Sequence, residues 1–310
     1  MSEVDLRTYE YMSENTRFAD LFNYFLHDGK RVIKPENLRE LDSREWALPY
    51  GIKADGDTAQ RYRDILKNLC AREDNQASYL LLGIENQKEN HYAMPVRNML
   101  YDALQYAKQV SSVAKRHRKN RDDSNMMPGE YLSGFHKDDR LVPVITLVIY
   151  WSSEEWDGPK TLHEMFSTED ENVLKYISDY KLNIISPRMI PDEDFCKFDT
   201  TIAEVFKYIK YSGDKEALNE IVTADKMFQQ LDGDSIKLIN AVTKSNLRFN
   251  DEGKVVNVCK ALEDMKAEAI KNTSVEIAKS LIELGKNTIE EIAKVTNLTI
   301  EEVKELKSAQ

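Results

Sequence analysis

The chain lacks the features that define several large classes of protein. Its 310 residues include three cysteines, and these are odd in number and far apart, so the sequence predicts neither a disulfide framework nor a cysteine zinc site. No apolar run approaches the roughly 18 residues of a membrane span. The acidic N-terminal sequence also lacks the basic and apolar regions of a signal peptide. We therefore expect a cytoplasmic protein with reduced thiols and no membrane segment.

The chain also lacks an excess of positive charge. The formal net charge is −11, from 54 acidic and 43 basic residues. This balance disfavours a protein that coats nucleic acid with its whole surface, but it leaves room for a local basic patch. Hydrophobic residues make up 41% and charged residues 31% of the chain, which is typical of a folded globular protein and argues against disorder.

The chain is long enough for a large domain and a smaller appendage. Residues 1–160 show a helix pattern ended by Asp28 and Gly29, short strand patterns at Val32–Ile33 and Leu38–Asp42, a hairpin, a helix and a buried strand. We predict that these residues form one α/β domain. Residues 161–250 are predicted to form a helical extension. A long helix with a helix-turn-helix-like tail is predicted for residues 251–310, where Thr and Glu three residues apart begin two helices.

The hairpin is the most informative part of the α/β region. Two strand patterns joined by a polar turn form it, Arg61–Leu69 and Ser78–Gln87. With the turn centred between residues 74 and 75, Asp64 lies directly across from Glu85. Because side chains alternate along a strand, Asp64, Glu85 and Gln87 project from one face, and apolar residues occupy the other. A slip of one residue would destroy this sorting.

Two facing carboxylates repel each other, and burying them is unfavourable unless a cation lies between them. Oxygen ligands from Asp64 and Glu85 suit Mg²⁺ or Mn²⁺. Such an ion stabilises charge on phosphorus and lowers the pKa of a bound water. Gln87 could orient that water or contact a phosphate, but an amide is a poor general base. Hydrolysis at this site would therefore depend on the metal for its hydroxide.

A helix pattern begins at Met94 and carries a polar stripe at Arg97, Tyr101 and Gln105. Arg97 and Tyr101 are candidate contacts to DNA, although ordinary helix-surface roles are equally compatible with the pattern. A basic run follows, and it is predicted to end in a loop containing Pro128 and Gly129. Its candidate DNA-binding residues are Lys115, Arg116, Arg118 and Lys119.

Four blocks of sequence together resemble the PD-(D/E)XK nuclease superfamily, and within it the recombination-promoting nuclease (Rpn) and putative transposase family. The blocks are Arg63–Lys67, Leu82–Gln87, Tyr92–Arg97 and Tyr101–Tyr106. The resemblance covers roughly the first 160 residues. It implies a core of helix, three strands, helix and strand, and an Mg²⁺-dependent endonuclease that acts on double-stranded DNA in recombination or transposition.

The resemblance also implies roles for single residues. Asp64 and Glu85 would be the metal carboxylates, with the backbone carbonyl of Asn86 as a further ligand. Asp20 is the best candidate for the acidic residue that the superfamily often carries on its first helix. Gln87 occupies the position that is lysine in the superfamily's name. Either of two nearby lysines, Lys67 or Lys88, could compensate for that missing charge, and the sequence does not choose between them.

A second hypothesis is a non-catalytic DNA-binding or regulatory protein derived from a nuclease. It would work through the basic run and the C-terminal helices. However, the last helix pattern, from Ile300 to Leu306, is acidic where a recognition helix would meet phosphates. We interpret the tail as a structural or dimerising element, which makes a homodimer one expected assembly. The acidic net charge favours the nuclease hypothesis, because a nuclease needs only a local basic groove.

Overall fold

A computed structural model describes residues 2–41, 44–45, 61–62, 65–70, 78–120, 127–247 and 257–308. The strands are β1 (Leu38–Glu40), β2 (Arg44–Glu45), β3 (Arg61–Tyr62), β4 (Ile65–Cys70), β5 (Ser78–Gln87), β6 (Val144–Tyr150) and β7 (Asn183–Ile185). The α-helices are α1 (Glu3–Ser13), α2 (Asn15–His27), α3 (Met94–Asn120), α4 (Pro128–Ser133), α5 (Glu171–Leu174), α6 (Ile202–Tyr211), α7 (Lys215–Ala224), α8 (Gly233–Thr243), α9 (Val258–Leu284), α10 (Ile289–Thr296) and α11 (Ile300–Ser308).

Five of the strands form one mixed sheet in the order β1-β4-β5-β6-β7, and β2 pairs with β3 separately. β1, β4 and β5 are antiparallel neighbours, whereas β5, β6 and β7 are parallel. Parallel neighbours need a long crossover connection, and α3 supplies it between β5 and β6. The chain therefore has the predicted mixed α/β fold, with a five-stranded sheet in which α3 crosses from β5 to β6.

The register of the β4–β5 hairpin is the predicted one. Ile65 pairs with Ile84 and Leu69 pairs with Leu80, and the register shifts only beyond Leu69, at a bulge or irregularity. The turn between the strands and Asp64 lie outside the described residues. The predicted pairing of Asp64 with Glu85, one step beyond Ile65 and Ile84, therefore stays a prediction.

Side-chain alternation gives the sheet two different faces. One face, which we call the closed face, carries Leu82, Ile84 and Leu147, and it packs against apolar residues of α1, α2, α6 and α8 in a single large hydrophobic cluster. The other face, which we call the α3 face, carries Glu85 and Val148 and lies under α3. The main core of the protein therefore lies on the closed face.

The sequence predicts a helical region after residue 160, but the structure contains a strand there as well as helices. Asn183–Ile185 forms β7 and extends the main sheet beside β6. The sequence pattern did not predict this strand, because its run of apolar residues is short, is soon followed by Pro187 and lies among longer helical patterns. Moreover, residues from both sides of position 160 contribute to the same hydrophobic cluster.

Two local predictions are corrected by the structure, and a helix is added at the N-terminus. Val32–Ile33 is not a strand, because the Asn23 side chain takes its backbone hydrogen bonds: Asn23 Oδ1 accepts from both amides, at 3.1 and 2.7 Å. Pro128 and Gly129 begin helix α4 instead of lying in a loop, since proline is well tolerated in a first helical turn. The acidic N-terminal segment forms α1, which Ser2 caps through reciprocal hydrogen bonds with Asp5.

The C-terminal tail has the predicted helices and caps. α9 ends at Gly285, whose φ of 63° suits glycine. Thr288 and Thr299 each exchange hydrogen bonds with the glutamate three residues later, so both predicted capping boxes are present. α9, α10 and α11 pack around their own small cluster, which includes Ala278, Ile292 and Val303. In the described parts of the chain, no helix has the length and apolar character to cross a membrane.

Candidate active site

Glu85 lies near the C-terminal end of β5, where it pairs with Val148 of β6. Its side chain is fully buried, with 0% of its surface exposed. A carboxylate in such a position is costly unless charge or hydrogen bonds compensate for its lost hydration. The β5 strand thus delivers a buried acid to the α3 face of the sheet, opposite the face that carries Leu82 and Ile84.

Arg97, in the first turns of α3, supplies that compensation. Its guanidinium Nη2 lies 3.0 Å from Glu85 Oε2, and its side chain is 24% exposed. Arg97 Nε donates to Tyr101 Oη at 3.3 Å, and the guanidinium carbon lies 5.7 Å from the centre of the Tyr101 ring. Arg97 therefore joins the buried carboxylate to the protein surface.

Tyr101 was a candidate DNA contact, but its ring is 2% exposed. It lies on the buried side of α3, so a DNA strand has no access to it without a rearrangement. Its hydroxyl accepts the hydrogen bond from Arg97 instead. Gln105, the next member of the predicted polar stripe, is also buried, at 3% exposure.

Two carboxamides belong to the same elements as Glu85 and Arg97, one on β5 and one on α3. Gln87 lies two residues further along β5, opposite Tyr150, and its side chain is partly exposed. Asn98 follows Arg97 on α3 and is completely buried, and neither atom of its carboxamide has a hydrogen-bond partner among the described residues. Buried polar atoms almost always have partners. Asn98 is therefore an unusual buried carboxamide that the sequence pattern did not identify.

Polar contacts from the middle of α3 hold the helix against β6. Asp102 accepts hydrogen bonds from Thr146 Oγ1 and Tyr180 Oη, both at 2.6 Å. One and two turns later, Tyr106 Oη accepts from the Val144 amide at 3.1 Å, and Gln109 exchanges hydrogen bonds with both backbone groups of Val142. This spacing of about one helical turn fixes α3 along the strand, and with it the position of Arg97 over Glu85.

Neither nearby lysine is placed to replace the charge that Gln87 lacks. Lys67 pairs with Leu82 on the closed face, where its ammonium donates to Ser13 O at 2.5 Å and Asn15 Oδ1 at 2.6 Å. Lys88 donates to Val242 O of α8 at 2.8 Å. Burial lowers the pKa of both lysines. The alternatives left open by the sequence are thus both directed away from Glu85.

Asp20 also has hydrogen-bond partners of its own. Its carboxylate accepts hydrogen bonds from the Asp199 amide and from the amide and hydroxyl of Thr200, at 2.6 to 3.1 Å. Burial raises the pKa of Asp20, although these hydrogen bonds act in the opposite direction. The structure therefore shows Asp20 stabilising the 199–200 segment and does not bring it into contact with Glu85.

The side chain of Asn86 points to the closed face, where its Oδ1 accepts from Trp151 Nε1 at 2.8 Å.

The basic run forms the last turns of α3, where positive charge interacts favourably with the helix dipole. Lys115, Arg116, Arg118 and Lys119 are all exposed. Between Arg97 and Lys115 the helix rises by about 27 Å, at about 1.5 Å per residue. The predicted DNA contacts thus fall into two separate groups on one helix.

These features define a mixed α/β protein with a polar site at the end of a central strand. A comparison with protein families narrows this class, because residues 33–235 match the family model described as "Putative transposase, YhgA-like". The match covers about two-thirds of the chain, so the chain belongs to this family, which is known as PD-(D/E)XK nuclease-like, of the Rpn type. No curated protein and no solved structure gives a significant match.

Proposed function

We propose that this chain is a metal-dependent DNA endonuclease that acts in transposition or recombination. The observation that supports this proposal most strongly is the fully buried Glu85 at the end of β5, ion-paired to Arg97 of the crossover helix. A fold does not need a buried acid at this position for stability, since an apolar pair of similar volume is often at least as stable. Family membership supports the same assignment.

The residues around Glu85 are compatible with a hard divalent cation. Carboxylate and amide oxygens are the ligands that Mg²⁺ and Mn²⁺ take, and Glu85 and Gln87 offer them on the α3 face. Asp64, which lies outside the described residues, would add the second carboxylate. We propose that Glu85 and Asp64 hold the ion, with the Asn86 carbonyl as a further ligand.

A bound Mg²⁺ or Mn²⁺ supplies Lewis-acid stabilisation of phosphate charge and a hydroxide from bound water. In this proposal the Gln87 carboxamide orients the attacking water, since an amide is a poor general base. Arg97 is partly exposed and could exchange its contact with Glu85 for a phosphate oxygen, which a guanidinium binds well. Tyr101 would keep Arg97 in position during this exchange.

The basic run would contact the DNA backbone away from the cut. A duplex aligned with α3 rises about 3.4 Å per base pair, so the ~27 Å between Arg97 and Lys115 corresponds to about eight base pairs. Each contact to a phosphate adds to affinity without adding sequence preference. A local groove of this kind is compatible with the net charge of −11.

Cleavage of supercoiled plasmid with Mg²⁺ or Mn²⁺ tests the proposal. We expect Glu85→Gln and Asp64→Asn to reduce the cleavage rate by about a thousandfold or more, because metal stabilisation contributes several kcal/mol and each 1.36 kcal/mol is a factor of ten. Glu89→Gln is the matched control, since Glu89 is an exposed acid just beyond the end of β5. Cleavage that persists at the wild-type rate in Glu85→Gln would refute the site assignment.

The alternative, a non-catalytic DNA-binding protein, is favoured by one observation: both candidate lysines are hydrogen-bonded away from Glu85. It predicts DNA binding that weakens with salt and no metal-dependent cleavage. An Arg118→Ala and Lys119→Ala double variant should weaken this binding and reduce its salt slope by about two, at about one per phosphate contact. A homodimer formed through α9 to α11 remains part of both proposals.

A further inference from the structure

Two histidines and an aspartate converge at the far end of α3, in a cluster unrelated to Glu85. His117 lies in the last turns of α3, and His136 and Asp139 lie in the segment after α4. The potential ligand atoms of these three residues all lie within 4.8 Å of one another. His117 and Asp139 are well shielded, with 11% of each side chain exposed.

Hydrogen bonds and an ion pair connect most of the polar atoms of the cluster. His117 Nε2 lies 2.8 Å from Asp139 Oδ2, which also accepts from the His136 backbone amide at 2.7 Å. The other carboxylate oxygen, Asp139 Oδ1, lies 3.5 Å from Arg116, which is 61% exposed. His136 Nε2 is buried and has no hydrogen-bond partner among the described residues. A buried imidazole nitrogen without a partner is unfavourable, and a metal ion would satisfy it.

We propose that His117, His136 and Asp139 bind one transition-metal ion of the zinc class. Two imidazoles and one carboxylate are a donor set that suits Zn²⁺ and not Mg²⁺, which prefers oxygen ligands. Three protein ligands leave a fourth position for water. The ion would replace the proton that His117 and Asp139 share, since metal ligands must be deprotonated.

Binding requires a modest rearrangement of the rings. His117 and His136 are stacked, with centroids 3.6 Å apart and planes 16° from parallel, whereas two imidazoles that bind one ion point their nitrogens at the same centre. Ligand atoms in a tetrahedral zinc site lie about 3.3 Å apart, given bonds of about 2.0 to 2.1 Å. A rotation of the His136 ring, which lies in a turn and not in a helix, would bring its nitrogen onto the ion.

Such an ion would link the C-terminal end of α3 to the segment that precedes β6. His117 stands inside the basic run, between Arg116 and Arg118. The metal would therefore order the helical turns that present the four basic side chains. This role is structural and is independent of chemistry at Glu85, so it does not depend on the proposed nuclease activity.

Zinc titration by calorimetry and the visible absorption of a Co²⁺ substitute test the proposal on the full-length protein after treatment with a chelator. We expect one zinc ion per chain, no competition from Mg²⁺, and a tetrahedral Co²⁺ spectrum. His136→Ala and Asp139→Asn should each weaken zinc binding by about a hundredfold or more, exceeding the 10- to 100-fold typical of an outer-shell partner. Melting temperature with and without zinc should follow the same order.

His163→Ala and Glu85→Gln are the matched controls, and both should bind zinc like the wild type. His163 is a histidine outside the cluster, with Nε2 bonded to the Ile177 carbonyl at 2.8 Å. Should His136→Ala fail to fold, the near-isosteric Asp139→Asn decides the question. Absence of saturable zinc binding in the wild type, or undiminished affinity in Asp139→Asn, would overturn the proposal.

Discussion

The two faces of the central sheet are built from the same strands but differ in the partners of their buried polar groups. On the closed face, Lys67, Lys88 and Asn86 each have a named partner in a neighbouring helix, loop or strand. On the α3 face, Glu85 relies on an arginine that is partly exposed, and Asn98 has no partner among the described residues. The closed face is therefore organised for stability, and the α3 face retains polar capacity that a ligand can use.

This difference can be tested first with a pair of truncations on β5. Leu82 is completely buried on the closed face, so Leu82→Ala should lower the free energy of unfolding by about 2 to 5 kcal/mol. Gln87→Ala, on the α3 face, should change it by no more than about 0.5 kcal/mol. Urea unfolding measures both values. Equal losses in the two variants would contradict the division between the faces.

The second test concerns the lysine that the sequence offered as a substitute catalytic group. Lys67→Met keeps most of the apolar stem but removes the ammonium from Ser13 O and Asn15 Oδ1, which should cost about 1 to 3 kcal/mol. Cleavage per folded molecule should be unchanged, because Lys67 lies on the closed face. A variant that folds normally but no longer cuts plasmid would place Lys67 in catalysis.

The third test uses the pH dependence of the closed face. Burial raises the pKa of Glu204 on α6 to about 6, and the nearby Asp225 also raises it. The folded state then holds a proton more tightly than the unfolded state, whose pKa is 4.5, so this group lowers stability as pH rises from about 4.5 to about 6.

Glu204→Gln should therefore stabilise the protein by up to about 2 kcal/mol above pH 6, and this gain should vanish below about pH 4. Thermal unfolding across this pH range measures it. Glu220→Gln, an exposed acid on α7, is the control and should show no comparable gain. If the two variants have the same pH profile, burial of Glu204 is not the cause.

Local patterns predicted much of the fold because they depend on neighbouring residues. The hairpin register could be predicted because apolar side chains alternate with polar ones along both strands, which places Ile65 and Ile84 on the same face. The capping boxes at Thr288 and Thr299 follow from a fixed spacing of three residues. Alternation also predicted that Glu85 projects from the side opposite Ile84, although it did not predict that Glu85 is buried.

Features that depend on distant contacts were not predictable from sequence alone. Nothing near Val32 or Ile33 shows that Asn23, nine or ten residues away, takes their backbone hydrogen bonds. Similarly, His117 and His136 lack ligand spacing along the chain and meet only because α3 and the segment after α4 pack together. The partner of Arg97 could be suspected from helix position, but the burial of Tyr101 beneath it could not.

Because α3 is continuous from Met94 to Asn120, it fixes the direction in which each side chain points around the helix axis as well as the distance between side chains along it. Each residue of an α-helix turns the chain by about 100° while advancing it about 1.5 Å. Arg97 and the basic side chains at the far end therefore have a set rotational phase about one axis. Insertion of a single residue between them would leave their separation nearly unchanged but would turn the basic side chains to a different side of the molecule.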